Sequence, residues 1–180
     1  MKYDDRKRLV LISIESEYAN MIFEELVNYE YRYEAIDKSL LNDKIYIYSS
    51  REDKAIIGYV RVSNVKKVSR LDIVHLKEYE IVNRRCMFTR DHSCYQMELY
   101  DVCEFDEYLS LKYLRIFQKS VSFNKNCTVI YEDNPLYQLI LEWDRAYSLD
   151  GEVNKSDSKV KSLIRKRQND LRGNNSFNKK

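Results

Sequence analysis

Proline and glycine are scarce in this sequence, which has one proline and three glycines among 180 residues. That composition excludes collagen-like and low-complexity chains, which are rich in both residues. No apolar run approaches the roughly 20 residues that a membrane-spanning helix needs, and residues 1–6 are too polar for a signal peptide. Hydrophobic residues make up 44% and charged residues 33% of the chain, as in ordinary globular proteins. We therefore expect a folded cytoplasmic protein without a membrane partner.

Cysteine and histidine are too few and too scattered for most metal sites. The sequence has four cysteines, two histidines and no Cys-x-x-Cys pair. His92 lies near Cys86 and Cys94, but the spacing of these three residues matches no zinc template. In a reducing cytosol the cysteines remain thiols. We expect them to be core residues, and we expect the protein to hold neither a metal nor a cofactor.

The two signs of charge are unevenly distributed along the chain. From Val153 onward there are nine basic and two acidic residues, whereas the rest of the chain has 22 basic and 27 acidic residues, a net charge of −5. A body of that sign does not hold a long nucleic acid by bulk charge, so contact with a polyanion requires a local pocket or the C-terminal segment. We divide the chain into a domain at 1–150 and a basic tail, partly helical or disordered, at 151–180.

Hydrophobic periodicity predicts strands and helices in an irregular order. Apolar or alternating runs predict strands at 9–14, 28–33, 44–48, 55–65, 95–105 and 127–131. Helical spacing predicts helices at 16–26 with Ser16 as the cap, at 71–82, and from Asn134 and Pro135 onward, where Asn is a good cap and Pro a good first residue. Because strands and helices do not alternate regularly, the pattern favours an α+β fold with a small mixed or antiparallel β-barrel.

Several short segments occur in the order that they have in one known family. These are residues 11–19 (LISIESEYA), 29–32 (YEYR), 44–50 (KIYIYSS), 57–60 (IGYV) and 94–99 (CYQMEL). Together they resemble the ASCH family of PUA-like domains over about residues 9–123. The resemblance implies a small PUA-like barrel with flanking helices, here with a C-terminal helical extension, and a cleft that accepts RNA or a nucleoside. Its members include RNA-binding modules, ribonucleases and amidohydrolases acting on modified cytidine, so the resemblance leaves the function open.

The family signature, Gly-x-Lys-x-x-Glu-x-Arg, is only half present. Its four positions are occupied by Glu25, Val27, Glu30 and Arg32. In the hydrolytic relatives the lysine is a proposed catalytic amine, and a valine in its place neither attacks a substrate nor carries a proton. The loss of the lysine favours a protein that binds a ligand without catalysis.

Glu30 and Arg32 are the strongest candidates for ligand contacts. Strand alternation places them on one face, opposite three tyrosines, where Arg32 could hold a phosphate or a base edge and Glu30 could accept a hydrogen bond from an amino group. The alternative is a surface ion pair worth under about 1 kcal/mol. Four further candidates lie at strand ends that should border the same cleft: Ser13, Tyr48, Ser49 and Ser50. The alternative for the serines is a structural role, because loop serines are often only turn formers.

The tail supplies a second candidate surface. Apolar residues recur on one face of residues 160–171, and three consecutive cations lie among them: Arg165, Lys166 and Arg167. This segment is either a nucleic-acid contact, a site for a protein partner, or a solubilising end.

We predict an RNA- or nucleotide-binding protein that is not an enzyme. The first alternative is a hydrolase, either an amidohydrolase or a ribonuclease, with Glu30 as general base and Arg32 as a clamp. The second is an adaptor that binds a protein partner through the basic tail.

Overall fold

The structure is a computed structural model that describes residues 6–76, 93–123, 127–148 and 153–177, with side chains of the last segment described for 158–171. Within these ranges there are six strands: β1 (Arg8–Ile14), β2 (Tyr29–Arg32), β3 (Lys44–Ser49), β4 (Ala55–Ser69), β5 (Ser93–Ser110) and β6 (Thr128–Tyr131). The same ranges contain a short 3-10 helix (Lys38–Leu40) and five α-helices: α1 (Ser16–Phe23), α2 (Arg70–Ile73), α3 (Leu111–Phe117), α4 (Pro135–Tyr147) and α5 (Val153–Phe177).

The strands form one mixed sheet in the order β2-β5-β4-β3-β1-β6. Strands β1 and β3 are parallel, and the other neighbouring pairs are antiparallel. The α+β class and the mixed sheet are thus confirmed. We expected a closed barrel, but in the described part of the chain the edge strands β2 and β6 are not paired with each other. Each of these edge strands has only four residues. Strand β2 is linked to β1 by a side-chain hydrogen bond and not by backbone pairing.

Strands β4 and β5 are long, and three register shifts interrupt their pairing. Such bulges increase the twist and bend a sheet. Gly58 lies at one of them, and a Cβ at this position would overlap the backbone carbonyl oxygen of Cys103 and the ring of Phe23. The bend therefore requires the close approach that only glycine allows.

Two apolar layers cover the faces of the sheet. On one face, Leu9 and Leu11 of β1 pack in a cluster with α3, α4 and α5. On the other face, Val10 and Ile12 pack in a cluster with α1. The central strands are consequently buried on both sides.

The C-terminal helices belong to the first of these layers. Helix α4 begins as predicted, because the side chain of Asn134 accepts a hydrogen bond from the Leu136 backbone N–H at 2.9 Å. Val160 and Ile164 of α5 are buried in the same cluster. The apolar stripe of the tail thus contacts the body, while the boundary predicted at residue 150 lies outside the described residues. In the described residues, no helix is long and apolar enough to cross a membrane.

Three local predictions need correction. Ser16 is the first residue of α1 and Glu15 is its cap; the Ser16 hydroxyl bonds elsewhere. A helix was predicted at 71–82, but α2 is a single turn, Arg70–Ile73, in which Leu71 is 81% exposed and Ile73 is buried. The rest of that prediction, residues 77–82, lies outside the described residues. Helix α3 was missed, because its seven residues give too little periodicity to recognise.

Candidate ligand-binding site

Glu30 and Arg32 lie on the inner face of the edge strand β2. Glu30 is paired in register with Met97 of β5, a member of the apolar cluster under α1. Glu30 is 1% exposed and Arg32 is 8% exposed. Arg32 Nε lies 2.8 Å from Glu30 Oε1. The two residues therefore form a buried ion pair, not the surface pair that the sequence left open.

Arg32 also reaches across to β1. Its Nη2 atom donates a hydrogen bond to the backbone carbonyl of Ser13 at 2.9 Å. Strand β6 pairs with β1 only from Arg8 to Leu11, so this carbonyl lies beyond the end of β6. The guanidinium thus links the edge strand β2 to the carboxyl end of β1, where no ladder pairing with β6 is present.

Cys127 lies close to this link. Burial raises the pKa of the Cys127 thiol, and the positive charges of Arg32 and Arg8 partly oppose that shift. Burial is the larger effect, so the thiol form is favoured at neutral pH. Because thiolate is the nucleophilic form, Cys127 is a poor nucleophile in this environment.

A chain of hydroxyl groups lies at the carboxyl ends of the parallel strands. Ser49 Oγ donates to Asp53 Oδ2 at 2.7 Å, and Ser16 Oγ lies 2.7 Å from Ser49 Oγ. The single hydroxyl proton of Ser49 points to the carboxylate, so Ser16 is the donor in the second bond. Ser49 is fully buried. Its hydroxyl is therefore held within the protein, and Ser16 and Asp53, which the sequence analysis did not select, complete the chain.

The remaining candidates lie apart from the ion pair. Tyr48 is on the opposite face of the sheet, with its ring 4.5 Å from that of Phe123. Burial raises the pKa of Tyr48, and the nearby Arg115 opposes the shift. Ser50 is exposed in the turn after β3. Of the six predicted residues, the structure brings together Glu30, Arg32 and the carbonyl of Ser13.

A second polar cluster anchors α4 to the sheet. Asp144 Oδ2 accepts hydrogen bonds from Lys44 Nζ and from the hydroxyl of Tyr46, both at 2.9 Å. Lys44 Nζ also lies 3.9 Å from the centre of the Tyr59 ring. Sequence analysis missed this cluster, because Lys44 and Asp144 are 100 residues apart and no local pattern connects them.

The tail cations differ from one another in exposure. Arg165 and Lys166 are exposed. Arg167 is half-buried, and its Nη2 donates to the carbonyl of Phe117 at 3.4 Å. Arg167 is thus bound to the end of α3.

The described residues contain no group of three or more histidine, cysteine, aspartate or glutamate side chains that could hold a metal ion. Of the three residues considered at the sequence level, Cys94 is buried. Cys86 and His92 lie outside the part of the chain that the structure describes.

Comparison with known proteins identifies the fold. No family model matches the sequence, and no curated protein matches it. Among solved structures, ASCH from Zymomonas mobilis is similar at a TM-score of 0.59 and 18% identity, over 73% of this chain and 93% of that one. Two point mutants of the same protein both give a TM-score of 0.60. One is 17% identical over 75% of this chain and 98% of its own. The other is 19% identical over 76% of this chain and 96% of its own. The chain therefore has the ASCH-domain fold that its sequence resembles.

Proposed function

We propose that the protein binds RNA or a nucleotide without catalysing a reaction, and that the ligand contacts Arg32 at the carboxyl ends of β1 and β3. The observation that carries the proposal is the buried Glu30–Arg32 pair, whose guanidinium is 2.9 Å from the Ser13 carbonyl. In open α/β sheets, ligands bind outside the carboxyl ends of the parallel strands, and β1 and β3 are the parallel pair of this sheet. The arginine lies at this end.

The chemistry of Arg32 suits a nucleotide. A guanidinium presents its donors as a planar fork that matches a phosphate or a base edge. Glu30 and the Ser13 carbonyl hold that plane in place, so little rotamer entropy remains to be lost on binding. The Arg32 side chain keeps 10% of its surface exposed, which limits the contact to one edge of the group.

A hydrolase is the less favoured interpretation. Val27, which occupies the lysine position of the family signature, is 4% exposed and packs in the core under α1. Glu30 is 1% exposed and ion-paired, whereas a general base must come within about 3 Å of the proton that it removes. Turnover of a labelled RNA or an acylated cytidine that is lost in Glu30→Gln would restore the hydrolase interpretation.

The test is a titration of nucleotides and short single-stranded RNA at low salt with an Arg32→Lys variant. Lysine keeps the charge but loses the planar fork, so we expect binding to weaken by roughly tenfold or more, as for the loss of a charge-assisted hydrogen bond. The control variant is Arg6→Lys, which makes the same change just before the opposite end of β1. It should bind RNA and nucleotides like the parent protein. Equal affinities of the parent and Arg32→Lys proteins would refute the proposed site, provided that circular dichroism shows both folded.

A further inference from the structure

Helices α3 and α5 are rich in basic residues, and the two acidic residues of α5, Asp157 and Asp170, lie on either side of its central basic segment. Residues 111–119 contain three basic and no acidic residues, and residues 158–169 contain five basic and no acidic residues. In contrast, the chain before Val153 has a net charge of −5. Most of these cations are exposed. Six of the exposed cations define a basic surface: Lys112, Arg115, Lys119, Lys159, Arg165 and Lys166.

The two helices are packed together. Leu114 and Phe117 of α3 are buried in the same apolar cluster as Val160 and Ile164 of α5. The hydrogen bond from Arg167 to the Phe117 carbonyl joins the end of α3 to the middle of α5. Arg167 therefore holds the helices together, and its neighbours in sequence present their charges to solvent.

This basic surface, defined by the six exposed cations, begins at the same end of the sheet as the proposed ligand site, on the opposite face. The backbone N–H of Leu111 donates to the carbonyl of Lys54 at 2.7 Å, which fixes the start of α3 at the turn after β3. Burial raises the pKa of Tyr48, and the positive charge of Arg115 on α3 opposes part of that rise. Tyr48 is in register with Ser13, the residue that Arg32 contacts. The first cations of this surface therefore lie on α3, which starts at the turn after β3, and the others lie on α5, which packs against α3.

We propose that α3 and α5 form a track for the phosphate backbone of an RNA strand that continues from the Arg32 site. This inference rests on the proposed function and narrows it: the ligand is an oligonucleotide and not a free nucleotide or nucleoside. The track supplies the positive charge that the acidic body lacks, since neutralisation of phosphates by lysine and arginine provides most non-specific affinity for nucleic acids.

A nucleic acid fits this surface better than an anionic membrane does. An amphipathic helix binds a membrane by burying its apolar face among the lipids. In α5 the apolar residues Val160 and Ile164 are already buried in the protein core. The exposed positions at 165–169 are Arg, Lys, Gln and Asn, which can contact phosphates but offer no apolar anchor.

The test measures affinity against salt for a mononucleotide and for a single-stranded RNA of about ten nucleotides, a length within the usual range for single-strand binding sites. For single strands the slope of log K against log salt is about −0.7 per neutralised phosphate. If five phosphates are contacted, the parent protein should lose roughly 100-fold in affinity for the longer RNA between about 50 and 200 mM salt. The mononucleotide should show a much smaller loss.

The diagnostic variant is the triple change Arg115→Gln, Arg165→Gln and Lys166→Gln. It should reduce the salt-dependent loss from roughly 100-fold to roughly 10-fold for the longer RNA and leave mononucleotide binding unchanged. The matched control, Lys7→Gln with Lys38→Gln and Lys66→Gln, removes three exposed charges elsewhere. It should keep at least half of the parent slope.

The outcomes separate the track from the site. An unchanged slope in the triple variant, an equal loss in the control, or no RNA binding by the parent protein overturns the track. The track is also overturned if the parent protein binds phosphatidylserine vesicles instead of RNA and the triple variant does not bind them. If the triple variant loses RNA affinity while Arg32→Lys changes nothing, the track stands and the proposed ligand site fails.

Discussion

Replacement of Glu30 by leucine removes the carboxylate that lies 2.8 Å from Arg32 Nε and leaves a charged Arg32 side chain that is only 10% exposed. A buried charge that loses its partner costs about 3–5 kcal/mol. Arg32→Met leaves Glu30 buried in the same way and also removes the hydrogen bond to the Ser13 carbonyl. Each single variant should therefore reduce the free energy of unfolding by about 3 kcal/mol or more.

The double variant should be more stable than either single variant. Leucine and methionine together remove both charges, so the desolvation penalty of an unpaired ion disappears. What remains is the lost hydrogen bond to the Ser13 carbonyl, worth about 1.5–3 kcal/mol for a charged donor. Urea denaturation of all four proteins at neutral pH measures the cycle. Single variants that each lose under about 1 kcal/mol, as exposed ion pairs do, would show that the pair is not buried.

Three further perturbations test other parts of the structure. Gly58→Ala should reduce the free energy of unfolding by about 1–3 kcal/mol or more, because the added Cβ overlaps the Cys103 carbonyl, and a thermal melt with no change would contradict that contact. Ile164→Ala should destabilise the protein by about 2–5 kcal/mol if α5 is part of the core, and limited proteolysis should then cut within α5 first. Burial and Asp144 raise the pKa of Tyr46, so the folded protein keeps a proton that the unfolded chain loses above a pH of about 10. Stability should fall as the pH rises above that value, by up to about 1.4 kcal/mol per unit from this residue, and Tyr46→Phe should show a shallower fall in urea denaturation.

Local patterns predicted those elements whose signals are contained within a few residues. The apolar run at 9–14 became β1, and the two β-rich runs around the turn at 49–53 became the β3–β4 hairpin. Asn134 and Pro135 began α4 as expected, because a cap and a first-turn proline act through neighbouring backbone groups.

Burial of the ion pair could not be predicted from the alternation in β2. Alternation separates Glu30 and Arg32 from the tyrosines, but it does not say which face points into the protein. That choice depends on β5, which is about 65 residues away in sequence and places Met97 beside Glu30. The Asp144–Lys44 contact and the packing of α3 on α5 also depend on distant segments.

The most direct test of the Arg32 site is an NMR titration of nitrogen-15-labelled protein with a short single-stranded RNA. We expect the largest shift changes at the Arg32 side-chain Nε–H and at the backbone amides next to Ser13, because the ligand contacts the guanidinium at the carboxyl end of β1. Shift changes confined to the other end of β3, around Lys44 and Arg61, with no change at Arg32, would contradict the proposed site.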